Sequence, residues 1–145
     1  MRLVPRGLVV DDEANHTRVM AIVLRIEGVE VETATDAEGA LRVLAGAPFD
    51  LAVVDLMMPG TNGIQLARLI REQFPQTSVV LTSAYHLSER QLVRADCGAV
   101  GFVPKPFDLT ELARFLRGKL AAADPAGLGD GGASTGPFVA RGAAA

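Results

Sequence analysis

Four charged side chains of this sequence stand at the ends of short apolar runs. Asp11 and Asp12 follow the first run, and Asp55 closes another. Lys105 comes one residue after a third run. If the three carboxylates meet, each pair about 4 Å apart costs about 1 kcal/mol in water, and a bound cation removes that repulsion. Ligand sets made only of oxygen favour Mg²⁺, Ca²⁺ or Mn²⁺ over zinc. Mg²⁺ fits best because it takes a further ligand from a substrate phosphate.

A cation at this position would make phosphoryl chemistry feasible at Asp55. It would neutralise the charge of an incoming phosphoryl group, so that the carboxylate could act as the nucleophile. Lys105 is a point charge that can pair with a carboxylate or a phosphoryl oxygen, and the hydroxyl of Thr82 can donate to another phosphoryl oxygen. No general base is required, because the attacking carboxylate is already ionised. Such a reaction depends mainly on positioning and charge stabilisation.

Apolar runs alternate along the chain with segments of helical period. Strands are predicted over residues 8–10, 29–33, 50–56, 77–82 and 99–103, and helices over 14–27, 36–46, 63–74, 88–97 and 108–120. This alternation predicts an α/β fold: a doubly wound (βα)₅, flavodoxin-like three-layer sandwich whose parallel sheet has the order 2-1-3-4-5. Strands 1 and 3 are neighbours in that order, so Asp11, Asp12 and Asp55 are expected around one crevice at the carboxyl ends of the strands.

Helix patterns and caps refine this prediction. Asp36, Ser88 and Asp108 are predicted to cap the second, fourth and fifth helices. The first helix is expected to gather its apolar residues on one face, formed by Val19, Ile22, Val23 and Ile26. His16 and His86 lie in polar surroundings and are interpreted as surface residues rather than ligands.

Composition limits the classes of function. With 49% hydrophobic and 21% charged residues, the 145-residue chain suits one globular domain. A net charge of −3 without a basic block argues against direct nucleic-acid binding by this chain. The lone Cys97 excludes an internal disulfide and a cysteine metal site. No apolar run approaches the roughly 18 residues that span a bilayer, and the first residues lack the apolar segment typical of a signal peptide. A cytoplasmic protein without membrane contact is expected.

The composition changes near the C-terminus. Gly, Ala, Pro, Ser and Thr dominate there, and large apolar residues nearly vanish. Such a segment buries too little surface to offset the entropy lost on ordering. The folded domain is therefore predicted over residues 5–122, and residues 123–145 are predicted to be a flexible tail or linker.

Five motifs at strand ends together resemble the receiver domain of two-component response regulators. They are Asp11-Asp12, Asp55 with Met57-Met58-Pro59-Gly60, Thr82-Ser83-Ala84, Phe102, and Lys105-Pro106-Phe107. The resemblance covers about residues 5–122, and its motifs occur in the family's order. It implies a signalling switch rather than an enzyme, with phosphotransfer and self-dephosphorylation activity of its own.

The resemblance also implies residue roles in the phosphorylation site. Asp55 would accept a phosphoryl group from the phosphohistidine of a sensor histidine kinase or phosphotransfer protein. Asp12 and Asp55 would ligate Mg²⁺ (or Mn²⁺) directly, Asp11 through water, and Met57 through its backbone carbonyl. The bond between Lys105 and Pro106 resembles one that is cis in the family.

A switch is implied as well. Thr82 would move toward the phosphoryl group, and Phe102, where tyrosine is common in the family, would turn inward behind it. The surface of helix 4, strand 5 and helix 5 would then change for a homodimer or a downstream effector. Met57 and Ala84 occupy positions where the family tunes dephosphorylation. Neither side chain orients a water well, so a long-lived aspartyl phosphate is expected.

Three other functions fit parts of the pattern. The main alternative is an aspartate-nucleophile phosphatase or phosphotransferase on a related α/β fold, but Met57 stands where such enzymes usually keep a second acid, and the predicted domain is not expected to include a cap that holds a substrate. A flavodoxin-like cofactor domain would need a phosphate loop after strand 1, where Asp11 and Asp12 repel phosphate. A receiver that signals without phosphate would not require the complete pocket.

Overall fold

Strands and helices alternate through the chain in the computed structural model, which describes residues 4–58, 60, 62–84, 88–105, 108–123 and 138–139. The elements are β1 (Arg6–Val10), α1 (Ala14–Ile26), β2 (Glu30–Ala34), α2 (Ala37–Gly46), β3 (Leu51–Asp55), α3 (Gly63–Gln73), β4 (Ser78–Ser83), α4 (Glu89–Ala95), β5 (Ala99–Pro104), α5 (Leu109–Ala123) and β6 (Phe138–Val139). The five predicted strand–helix pairs are confirmed.

The sheet is parallel, with the order β2-β1-β3-β4-β5-β6. Its first five strands confirm the predicted order 2-1-3-4-5. The two-residue strand β6 extends the sheet, with Phe138 and Val139 in register with Gly101 and Phe102 of β5. This short strand lies inside the segment 123–145, whose separation from the domain as a tail or linker stays a prediction.

Alternate residues of the strands point to opposite faces of the sheet and pack into two apolar cores, one on each face. Val54 and Leu81 pack with buried residues of α2, α3 and α4 on one face. Val53 and Val80 pack with α1 and α5 on the other. Every residue of β3 is buried, as expected for a central parallel strand covered on both sides. Burial of this strand fixes the position of its last residue, Asp55.

Helix α1 buries a different face from the predicted one. Its buried residues are Thr17, Met20, Ala21, Val23 and Leu24. Of the predicted stripe only Val23 is buried, whereas Val19, Ile22 and Ile26 are 38%, 48% and 76% exposed. The prediction was wrong because residues 19–24 form a continuous apolar run, in which helical period alone does not select one face.

The three predicted helix caps are confirmed. Asp36 Oδ1 accepts a hydrogen bond from the backbone N–H of Gly39 at 2.7 Å. Ser88 forms a reciprocal capping box with Gln91 at the start of α4. Asp108 Oδ1 accepts from the N–H of Glu111 at 3.0 Å. Across the described ranges, every helix is too short or too polar to cross a membrane.

Candidate functional site

Three carboxylates converge at the carboxyl edge of the sheet. Asp11 and Asp12 follow β1, and Asp55 ends β3, so the pairing of these two strands brings the acids together. Each of the three offers an oxygen, and these oxygens lie within 4.8 Å of one another. Asp11 and Asp55 are 4% and 6% exposed, whereas Asp12 faces solvent. The predicted cluster therefore forms, and it opens to solvent on the Asp12 side.

A close approach between α3 and the end of β3 holds the chain beside Asp55. The N–H of Gly63 donates to the carbonyl of Leu56 at 2.7 Å. A Cβ at Gly63 would lie 2.6 Å from the carbonyl oxygen of Asp55 and 2.7 Å from Cα of Leu56. Only glycine lets the helix begin this close to the strand, so Gly63 supports the geometry of the acid cluster.

Lys105 places an ammonium among the carboxylates. Its Nζ lies 2.9 Å from Asp11 Oδ2 and 3.7 Å from Asp55 Oδ1, and its side chain is 13% exposed. The backbone N–H of Lys105 donates to the carbonyl of Ser83 at 2.8 Å, which anchors the residue to the end of β4. The lysine therefore offsets part of the acids' repulsion from inside the pocket, as the sequence predicted.

The electrostatic balance at Asp55 disfavours its ionised form. Burial raises the pKa of Asp55 most strongly, and the nearby Asp11 carboxylate raises it further. The Lys105 ammonium and the backbone N–H of Met57 lower this pKa, while Asp12 raises it again, and the net direction is upward. A cation beside the cluster would relieve this penalty and keep Asp55 ionised for nucleophilic attack.

Thr82 brings a hydroxyl to the same edge. Its Cα is the register partner of Asp55 between β3 and β4. The Oγ1 atom is buried and has no hydrogen-bond partner within the described part of the chain. A buried hydroxyl left unpaired is costly, so this atom fits a ligand oxygen bound next to Asp55. The oxygen-only set of carboxylates likewise fits a hard cation such as Mg²⁺.

The remaining predicted residues differ in how far the structure describes them. The N–H of Met57 donates to Asp55 Oδ1 at 3.4 Å, while the predicted role of its carbonyl as a metal ligand stays a prediction. Phe102 is fully buried in the core of α2, α3 and α4, and its switching role also stays a prediction. Pro106 lies outside the described residues, and so does the predicted cis bond that precedes it.

His16 is a site residue that the sequence interpretation missed. Its Nδ1 lies 3.0 Å from Lys105 Nζ, 3.5 Å from Asp11 Oδ2 and 2.9 Å from Glu13 Oε1. The signal was its spacing, because a residue four positions after Asp12 in the first turn of a helix returns to the side of that acid. The other histidine, His86, lies outside the described residues.

Comparison with known families identifies the class of protein to which this fold belongs. The family model of the response regulator receiver domain matches residues 8–117, and the chain belongs to this family. It is a receiver domain of two-component signalling, a class that binds Mg²⁺ at an aspartate cluster. The cluster of Asp11, Asp12 and Asp55 is the candidate for that site.

Individual relatives agree with this assignment. The regulatory protein AtoC of Escherichia coli is 35% identical over 112 residues, which are 77% of this chain and 24% of AtoC. A CheY-like receiver domain protein from Methanospirillum hungatei aligns with a TM-score of 0.76 and 26% identity, over 83% of this chain and 96% of that one. TrrA of Thermotoga maritima, solved in complex with Mg²⁺ and BeF, aligns with a TM-score of 0.71 and 32% identity, over 80% of this chain and 99% of that one. This chain spans between 24% and 51% of the length of the curated relatives that it matches.

Proposed function

We propose that Asp55 accepts a phosphoryl group from the phosphohistidine of a sensor histidine kinase or a phosphotransfer protein. The observation that carries this proposal is the convergence of two further acids, an ammonium and a buried hydroxyl without a partner among the described residues around this one carboxylate. A carboxylate oxygen of Asp55 attacks phosphorus, and the new P–O bond forms as the P–N bond breaks. The electron pair of the broken bond returns to the leaving imidazole.

The acids of the cluster would hold the cation. Asp12 and Asp55 are proposed as direct ligands of Mg²⁺, with Asp11 acting through water and Met57 through its carbonyl. Mn²⁺ is expected to substitute, since it accepts the same oxygen ligands. When bound, the cation supplies positive charge that offsets the negative charge of the phosphoryl oxygens.

Lys105 and Thr82 are proposed to hold the phosphoryl group once it is on Asp55. The ammonium lies 3.7 Å from Asp55 Oδ1, too far for a direct hydrogen bond. A phosphoryl oxygen attached to Asp55 would fall within reach of this donor. The hydroxyl of Thr82, unpaired among the described residues, would donate to a second phosphoryl oxygen after a small movement of β4.

The proposed output is a change of the surface formed by α4, β5 and α5. Movement of Thr82 would leave space behind it. Phe102, which lies one strand away in β5, is proposed to move into that space. The partner would be a second copy of the chain or a downstream effector.

Direct nucleic-acid binding is not proposed, because the chain has no basic block. We propose the cytoplasm as its location.

The proposal is a signalling switch with slow self-dephosphorylation rather than a phosphatase. An aspartate-nucleophile phosphatase needs an acid or base near the leaving group. Met57, two residues after Asp55, provides none, and this residue is 54% exposed. Phosphate loss would therefore depend on water that the chain orients poorly.

Mass spectrometry with acetyl phosphate and Mg²⁺ tests the phosphoacceptor directly. The wild-type chain should gain the mass of one phosphoryl group, and Asp55→Asn should gain none. Asp36→Asn is the matched control, because Asn caps a helix as well as Asp does, and it should be labelled like the wild type. In Asp12→Ala, the extent of labelling should no longer depend on Mg²⁺. Labelling of Asp55→Asn would show that another residue is the acceptor.

A further inference from the structure

We infer that His16 is a positioning residue that holds Lys105 in place for a phosphoryl group on Asp55. The inference rests on the proposed function of Asp55 as the phosphoacceptor. It starts from the contact between His16 Nδ1 and Lys105 Nζ, which are 3.0 Å apart. His16 belongs to α1 and Lys105 follows β5, so this contact joins two distant segments of the chain at the pocket.

The geometry divides the three donors of the ammonium among different partners. One N–H of Lys105 donates to Asp11 Oδ2 at 2.9 Å, and a second faces His16 Nδ1. Asp55 Oδ1, at 3.7 Å, is beyond hydrogen-bond distance. Two anchors therefore fix the ammonium while a third donor remains on the Asp55 side. Such preorganisation lowers the entropy lost when a phosphoryl oxygen binds.

The position of the imidazole proton decides whether this contact is attractive. Nδ1 of His16 lies 3.0 Å from the Lys105 donor and 2.9 Å from Glu13 Oε1, so it cannot satisfy both. The Lys105 side chain is 13% exposed and depends on protein acceptors, whereas the Glu13 side chain is 63% exposed and can bond to water. Nδ1 therefore accepts from Lys105, and the proton of the neutral ring resides on Nε2.

The imidazole ring of His16 is attached to a rigid element, the helix α1. The backbone N–H of His16 donates to the carbonyl of Glu13 at 3.0 Å in the first turn of α1. Thr17, the next residue, is buried against the core. An acceptor mounted on a packed helix limits the rotamers of the flexible lysine more than an acceptor on a loop would.

Nitrogen NMR of the full chain tests the contact without any phosphorylation. The sequence holds two histidines, so His16→Asn assigns the ring signals. At alkaline pH, where imidazoles are neutral, His16 should carry its proton on Nε2 in the wild type and in Glu13→Gln. In Lys105→Met, Nδ1 faces only carboxylate oxygens, those of Glu13 at 2.9 Å and Asp11 at 3.5 Å, and the proton should shift toward Nδ1. A wild-type proton on Nδ1, or identical signals in wild type and Lys105→Met, would overturn the inference.

Calorimetric titration of fluoroberyllate, a phosphoryl mimic, in the presence of Mg²⁺ tests the consequence. His16→Ala should weaken binding about two- to fivefold, the range of a half-exposed charged contact. His16→Asn should recover most of this loss, because its amide oxygen is an acceptor near the place of Nδ1. Arg18→Ala, an exposed change on the same helix, is the control and should bind like the wild type.

His16→Ala and His16→Asn also distinguish a positioning role of His16 from a purely structural role. Asn is a poorer helix former than Ala, so a role limited to stabilising α1 would make His16→Asn the weaker binder. That order of affinities, or equal affinities of His16→Ala and wild type, would refute positioning. If wild type neither binds fluoroberyllate nor gains a phosphoryl group, the proposed function fails, and the NMR comparison still decides the contact of His16 with Lys105.

Discussion

Asp55 and Thr82 are register partners at the ends of the two adjacent strands β3 and β4. The N–H of Leu56, which follows Asp55, donates to the carbonyl of Thr82 at 2.8 Å, so the two strand ends are tied together. Both residues are buried, at 6% and 2% exposure. Backbone pairing thus fixes the carboxylate that we propose as the phosphoacceptor beside a hydroxyl that has no partner among the described residues.

Thr82→Val is expected to separate resting stability from ligand binding. A buried unpaired hydroxyl costs about 1–3 kcal/mol, so valine, which has nearly the same shape, should leave the unfolding free energy unchanged or raise it. Binding of fluoroberyllate with Mg²⁺ should weaken roughly tenfold, because a hydrogen bond to a charged group is lost. Urea denaturation and calorimetry measure the two effects. Thr82→Ser keeps the hydroxyl and should bind nearly normally; weak binding by this variant would argue against the hydroxyl's role.

Asp55→Asn is expected to stabilise the metal-free protein at neutral pH. Burial and the Asp11 carboxylate raise the pKa of Asp55 in the folded state. The contribution of such a group to stability is fully present below its unfolded pKa and is lost as pH rises through the folded pKa. At neutral pH the variant should therefore gain about 1 kcal/mol, similar to one carboxylate repulsion in water.

Urea denaturation in a chelator, repeated from neutral to acidic pH, measures this difference. The advantage of Asp55→Asn should shrink as pH falls, because the wild-type carboxyl becomes neutral too. Added Mg²⁺ should stabilise the wild type more than the variant, since the ion binds the folded state through the full cluster. A wild type that is the more stable protein in chelator at neutral pH would contradict the repulsion inferred at Asp55.

Sequence patterns predict the positions of the strand ends well. Apolar runs buried on both faces leave little choice of strand position, and crossover helices make the sheet parallel. The places of Asp11, Asp55 and Lys105 at one edge follow from these two constraints. The distances between these side chains and the raised pKa of Asp55 could not be predicted. They depend on packing and on Gly63, which lets α3 approach the strand closely.

Helix α1 shows where sequence patterns carry too little information. Its apolar residues cover more than one face, so the choice of Met20 and Leu24 over Ile22 and Ile26 was settled by packing. His16, by contrast, could have been found, because its spacing of four residues from Asp12 returns it to the side of that acid. The pairing of β6 with β5 also lay beyond prediction, since a two-residue strand has no period to detect.

Met57→Asn is expected to shorten the lifetime of the aspartyl phosphate severalfold. Met57 follows Asp55 by two positions and is 54% exposed at the site, so an amide there can orient a water toward the phosphorus. Loss of the phosphoryl mass after removal of acetyl phosphate measures the rate. Met57→Leu is the control and should match the wild type. Loss of the wild-type phosphate within seconds would contradict the expected long lifetime.

Gly63→Ala is expected to destabilise the domain by about 1–3 kcal/mol, the usual cost of overpacking. The new Cβ would lie 2.6 Å from the carbonyl oxygen of Asp55, a backbone atom that cannot move aside without shifting β3. Gly118→Ala is the matched control, because a Cβ at this exposed position in α5 meets nothing within 4 Å. Ala is the better helix former by about 1 kcal/mol, so this control should gain stability. Urea denaturation of both variants should therefore give changes of opposite sign, and a neutral Gly63→Ala would show that α3 can shift away from Asp55 at little cost.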